Sequence, residues 1–196
     1  MKLPMPAAVL AGGASRRMGR AKAALPWGAG TLLEFQTERL SKLFPQVFVV
    51  LKEPPDFTVG PATVLLDRSP EVAAVHGLVR VLEEVDDRAF VLAVDLPALT
   101  EGVVRQIAGR SLETAALALV PEAAGRLQPL AAVWRRAVIP IAADRIARGR
   151  LSLAGLVEEV GAEILPELEW RTVDPSGNSF ANLNTLTDYA AHRERA

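Results

Sequence analysis

The chain has 196 residues, half of them hydrophobic and 23% charged, an ordinary globular composition and enough chain to bury about 70% of its unfolded surface around one core. Lys and Arg (22) nearly balance Asp and Glu (23), so a net charge of −1 gives no whole-chain attraction to nucleic acid or to a membrane, and any anion site must be local. The absence of cysteine and the presence of only two histidines exclude disulfides, zinc–thiolate sites, iron–sulfur clusters and a histidine-rich metal site.

The opening residues could pass for a weak signal peptide, but Pro4 and Pro6 interrupt the apolar run and Arg16–Arg17 follow at once. No run reaches the ~18 apolar residues that span a bilayer, so a cytoplasmic location is expected. Ala7–Leu10 reads as a strand. Leu33, Leu40, Leu43 and Phe44 give 32–44 one apolar helical stripe. Val47–Leu51 and Thr63–Asp67 read as buried strands. Residues 71–84 place Val72, Val75, Leu78, Val79 and Leu82 on one helical face. Ala89–Asp95 is the clearest buried strand, and Thr100 caps a helix carrying Val103, Val104 and Ile107.

Ala115–Val120 and Pro129–Trp134 are further strands around a loop holding Gly125 and Arg126. Helices follow at 139–148, with Pro140 in the first turn, and at 152–160, with Ser152 as cap. Ala162–Leu165 is a last strand, 174–185 is turn-rich, and 186–195 forms a terminal helix. The alternation predicts an α/β fold: a Rossmann-like, mostly parallel sheet with helices on both faces and one antiparallel element late in the chain. With no repeat and no linker, residues 1–196 are expected to be one domain.

The first strand runs into Gly12–Gly13, and Arg16, Arg17, Arg20 and Lys22 follow within seven residues, with no acidic residue before Glu34. In open α/β sheets ligands lie beyond the carboxyl ends of the strands. Bare glycine amides can approach an anion there, arginine forks match phosphate oxygens, and lysine adds a point charge. The pattern suits a polyphosphate. It is neither a Walker A loop nor a G-x-G-x-x-G dinucleotide loop. Asp95, at a strand end facing the same cleft, is either a magnesium ligand or a turn aspartate satisfied by backbone amides. Asn182 and Asn184, set among Phe180 and Leu183, suit either a polar ring or a turn and helix cap. The three tryptophans read as packing residues, His76 as a partly buried structural histidine, and Arg126 and Gln128 as a solvated hairpin.

The stretch LAGGASRRMGRAK resembles the L-A-G-G-x-x-x-R-M-G-x-x-K signature of small nucleotidyltransferases, and most of all that of the molybdenum cofactor guanylyltransferase (MobA) family. VDLPAL and FANLNT resemble that family's later motifs. The resemblance implies transfer of GMP from GTP to molybdopterin or the molybdenum cofactor, with release of pyrophosphate and Mg²⁺ as cofactor. It assigns Lys22, Arg16 and Asp95 to catalysis. Leu10, Ala11, Gly12, Gly13, Lys22, Asp67 and Asp95 would bind nucleotide, Arg17 and Asn182 the acceptor, and Asp95 the metal. It also implies contact with cofactor-delivery proteins and recipient molybdoenzymes. Three departures stand out: RSPEVAAVHGL in place of a Gly-Pro-Leu loop, Ala21 where relatives carry Asp, and Lys52 where a relative's nucleotide-contacting Asn would fall. Three other readings remain: a sibling cytidylyltransferase, a non-catalytic nucleotide-binding accessory protein, and a generic α/β domain with a basic surface loop.

Overall fold

The structure is a computed structural model, and it describes residues 1–12, 22–183 and 189. In chain order it forms β1 (Ala7–Leu10), β2 (Pro26–Trp27), β3 (Gly30–Thr31), α1 (Leu32–Leu43), β4 (Val47–Leu51), β5 (Thr63–Leu66), α2 (Ala74–Glu83) and β6 (Arg88–Ala93). There follow α3 (Glu101–Leu112), β7 (Ala118–Ala123), β8 (Arg126–Leu127), β9 (Ala131–Arg135), α4 (Ile139–Ala147), α5 (Leu153–Glu159), β10 (Glu163–Leu165) and α6 (Glu167–Trp170).

Seven strands lie in the order β10-β7-β9-β6-β1-β4-β5, with β8 added to β7. Strands β6, β1, β4 and β5 are parallel throughout, and β9 runs antiparallel to both β6 and β7. The late antiparallel element is therefore one strand inserted between two others. The side-chain period of two in a strand sends alternate residues to opposite faces. Val47, Val49, Leu51, Phe90 and Leu92 join one core with α1 and α3. Phe48, Val50, Ala89 and Val91 join the other with α2, α4 and α5. Central strands buried on both faces have no room for polar alternation, which is why β1 and β4 are apolar throughout and β6 is apolar after Arg88.

Three differences from the sequence expectations have local causes. Helix α2 begins at Ala74 rather than at residue 71, and Val72 is left 60% exposed instead of on the buried stripe. The segment before it, Asp67–Glu71, is drawn into side-chain bonds with Lys52. Strand β7 starts later and runs on to Ala123, then turns through Ala124 and Gly125, both at positive φ, into β8. Two residues at positive φ between paired strands make a type I′ hairpin. The small β2–β3 ribbon carried no periodic signal. The expected terminal helix at 186–195 falls almost wholly outside the described residues.

Among the described residues, no helix is long and apolar enough to cross a membrane. Trp134 and Trp170 are fully buried and Trp27 nearly so, as packing residues.

Candidate active site

The chain runs from β1 outward to β4 and β5, then returns to the other side of β1 as β6. This reversal makes the carboxyl ends of β1, β4, β5 and β6 the ligand end of the sheet. Leu10, Ala11 and Gly12 lie there. Ala11 N–H donates to Val50 C=O at 3.0 Å, and Val94 N–H donates to Leu10 C=O at 3.2 Å, so β1 is gripped from both sides to its last residue. Gly12 passes beside Lys52; a Cβ built on it would lie 3.5 Å from Lys52 Cγ. Gly77, on the first turns of α2, sits under Leu10, where a Cβ would lie 3.4 Å from both Leu10 methyl carbons.

Lys22, further along the same stretch as Gly12, lies at this end of the sheet too. Ala23, Leu25 and Trp27 anchor the segment in the core, and Lys22 opens a short 3₁₀ turn. Its Nζ donates to Asp95 Oδ2 at 2.9 Å, across 73 residues, with the two side chains 19% and 25% exposed. This ion pair joins Lys22, the last cation of the glycine–arginine stretch, to the acidic strand end. Asp95 follows β6, and its own carbonyl accepts from Leu183 N–H at 2.9 Å. That bond seats the exposed Asn182 beside Asp95. Gly13, Arg16 and Arg17 lie outside the described residues, as does Asn184.

Asp67 stands across Gly12 from Asp95, at the end of β5. Ser69 N–H and Ser69 Oγ donate to its Oδ1 at 2.9 and 2.6 Å, and Lys52 Nζ lies 2.8 Å from Oδ2. Burial works to raise its pKa, but the Lys52 and Ser69 hydrogen bonds outweigh burial and hold it below its ordinary value. Lys52 Nζ also donates to Ser69 Oγ (2.7 Å), Ser69 C=O (3.0 Å) and Glu71 C=O (2.6 Å). The lysine that departs from the family pattern thus clamps the loop that departs from it too.

Sequence reasoning passed over three contacts at this site. Gln36 reaches Val94 C=O and Arg39 reaches Pro97 C=O, both from α1, and the Leu183 amide reaches Asp95. A polar residue inside the Leu33–Leu40 apolar stripe was the available signal for Gln36. Backbone partnerships such as Leu183–Asp95 leave no mark on residue identity.

The Lys22–Asp95 pair offers one carboxylate as a hard-oxygen ligand. No group of three or more His, Cys, Asp or Glu side chains able to hold a metal occurs among the described residues. This donor set fits magnesium bound through one carboxylate, with waters and phosphate oxygens completing the shell, and does not fit a self-contained protein cage.

The sheet's switch point joins a bare glycine strand end, a lysine and an aspartate, an arrangement suited to a nucleotide's phosphates, and the chain's relatives make its class that of the nucleotidyltransferases. The chain belongs to the MobA-like NTP transferase domain family, whose pattern it matches over residues 7–160. It is 35% identical over 162 residues to a probable molybdenum cofactor guanylyltransferase of Mycobacterium tuberculosis, covering 80% of each chain. It is 27% identical over 190 residues to the molybdenum cofactor guanylyltransferase of Syntrophotalea carbinolica, covering 96% of this chain and 90% of the relative. Its fold matches the crystal structure of molybdopterin-guanine dinucleotide biosynthesis protein A from Archaeoglobus fulgidus with a TM-score of 0.84, at 22% identity and with 97% and 98% coverage.

Proposed function

We propose that the protein transfers GMP from GTP to molybdopterin, with or without bound molybdenum, and releases pyrophosphate. The carrying observation is the 2.9 Å Lys22–Asp95 contact at the sheet's switch point, in a chain whose 35%-identical relatives carry the guanylyltransferase name. Residues 1–196 act as one catalytic domain in this proposal.

A terminal phosphate oxygen of molybdopterin attacks the α-phosphorus of GTP in line. The new P–O–P bond forms as the bond from the α-phosphorus to the β-bridging oxygen breaks, and pyrophosphate carries that electron pair away. The nucleophile is already ionised at neutral pH, so the chain needs no general base, in keeping with its two histidines. Catalysis falls to positioning and charge neutralisation. Leu10, Ala11, Gly12 and Gly13 present backbone to the nucleotide. Lys22, with Arg16, takes up negative charge on the triphosphate and on the departing pyrophosphate. Asp67 contacts the nucleotide from the far side of Gly12. Arg17 and Asn182 bind the acceptor. Asp95 would hold Mg²⁺, which when bound draws phosphate oxygens together and offsets their charge. Cofactor-delivery proteins and the molybdoenzymes that use the product are the expected macromolecular partners, in the cytoplasm.

The fold is shared with a different transferase, 2-C-methyl-D-erythritol 4-phosphate cytidylyltransferase of Thermus thermophilus (TM-score 0.68, 20% identity, 100% of this chain and 98% of that one covered), so base choice must be measured. Pyrophosphate release is assayed with each of the four nucleoside triphosphates and Mg²⁺, with and without molybdopterin. Release with GTP that depends on molybdopterin supports the proposal. Release with CTP in its place identifies a cytidylyltransferase. Nucleotide binding without release identifies an accessory protein.

A further inference from the structure

Helix α1 turns an apolar stripe, Leu32, Leu33, Leu40 and Leu43, toward the sheet. Gln36 sits inside that stripe and is 0% exposed. A leucine or methionine would fill the position with no polar atom to satisfy. Instead, Gln36 Nε2 donates to Val94 C=O at 3.3 Å, and its Oε1 is buried without a partner. Leaving a buried amide oxygen unbonded costs about 1–3 kcal/mol.

One turn further, Arg39 repeats the arrangement. Its Nη1 donates to Pro97 C=O at 2.7 Å, its guanidinium lies over the Phe35 ring at 5.3 Å, and its Nη2 is buried without a partner. Burial pushes the Arg39 pKa down to about 10. Two polar side chains on one helix face are therefore held at an energetic cost, and both end on carbonyls of one four-residue loop. That loop, Val94–Pro97, carries Asp95. Its third tether is the Leu183 N–H bond to Asp95 C=O.

We propose that Gln36 and Arg39 are positioning residues for Asp95: by holding the carbonyls on either side of it, they fix the direction in which its carboxylate meets Lys22 and the metal–triphosphate. The proposal rests on the assignment of Asp95 to the metal. A purely structural role does not account for Gln36, since replacing it with Leu or Met exchanges one unpaired oxygen (Gln36 Oε1) for another (Val94 C=O) and leaves the apolar packing intact. The fold should be nearly indifferent to the change, while the loop should not.

The test compares Gln36→Met, Arg39→Met and Arg39→Lys with the wild type and with Asp95→Asn, in the full chain. Thermal midpoint, kcat, KM for GTP, and amide hydrogen exchange of peptides spanning 94–97 are read on each. Expected for Gln36→Met are a midpoint within about 3 °C of wild type, kcat lower by about 10- to 100-fold, KM within about twofold, and faster exchange confined to the Val94–Pro97 region. Arg39→Met behaves likewise, and Arg39→Lys, which restores a donor toward Pro97, recovers part of the loss. Wild-type kcat and exchange in the Gln36 and Arg39 variants, alongside an inactive Asp95→Asn, overturn the brace alone. An Asp95→Asn protein with full activity overturns the assignment of Asp95, and the brace with it. Exchange that rises across all of α1, with a falling midpoint, shows a packing role and overturns the proposal.

Discussion

At the scale of single residues, the site rests on charge brought together from far apart. Lys22 and Asp95 are 73 positions distant in sequence and 2.9 Å apart in space. Lys22→Ala removes the cation assigned to the triphosphate, and kcat for GMP transfer should fall about 100- to 1,000-fold, with weaker GTP affinity in a binding titration. Unchanged affinity would remove Lys22 from the phosphate site. Asp95→Ala should abolish binding of Mn²⁺, read by electron spin resonance in the presence of GTP, together with transfer. Lys22 and Asp95 were legible in sequence because Lys22 closes a pattern that begins at the end of β1 and Asp95 follows the apolar run of β6. Gln36 and Arg39 were not singled out, since their significance lies in which carbonyls they reach. Lys52 was seen only as a departure; its grip on Asp67, Ser69 and Glu71 depends on how two strand ends lie side by side.

At the scale of elements, local signals predicted most helices and central strands, and their ends shifted where side chains intervened. Thr100 and Ser152 cap α3 and α5 as their sequences indicate. Helix α1 has a stronger device that was missed, a reciprocal capping box. Thr31 Oγ1 accepts from Glu34 N–H at 3.1 Å, and Glu34 Oε2 accepts from Thr31 N–H at 2.8 Å. Thr31→Ala should lower stability by about 1 kcal/mol in urea unfolding. In the β7–β8 hairpin, Ala124 holds φ at 50°, a conformation that disfavours any residue with a Cβ. Ala124→Gly should therefore stabilise the protein, by up to about 1 kcal/mol in the same measurement, against the usual expectation for introducing glycine. A loss of stability would show that the left-handed turn is not held in solution.

At the scale of the whole molecule, alternation of strands and helices gave the layer architecture, and the period-two faces of β4 and β6 divide cleanly between the two cores. The position of β9 between β6 and β7 was beyond the reach of local pattern, because strand order is chosen by long-range pairing. Stability against acid is also a property of the whole. For Asp67, Asp87 and Asp174, burial works to raise the pKa, but hydrogen bonds from Lys52 and Ser69, from Arg88 and Arg135, and from Ser176, Ser179 and Gly177 hold each below its ordinary 3.8. A carboxylate with a lowered folded pKa binds fewer protons folded than unfolded. Its contribution is full above 3.8 and drains away as the pH falls from there through the folded value. Denaturation midpoints measured from pH 6 down to about pH 2 should fall steeply below that point, and Asp67→Asn should flatten the curve.

The bond from Leu183 N–H to the Asp95 carbonyl has a consequence for how the enzyme comes into being. A ribosome delivers the chain from its amino end, so the central strands can pair while most of the later helices are still unmade. Residue 183 must clear the exit tunnel before it can stitch the Asp95 loop. Nascent protein should therefore pair its central strands early and gain this tether on the Asp95 loop only after residue 183 has emerged.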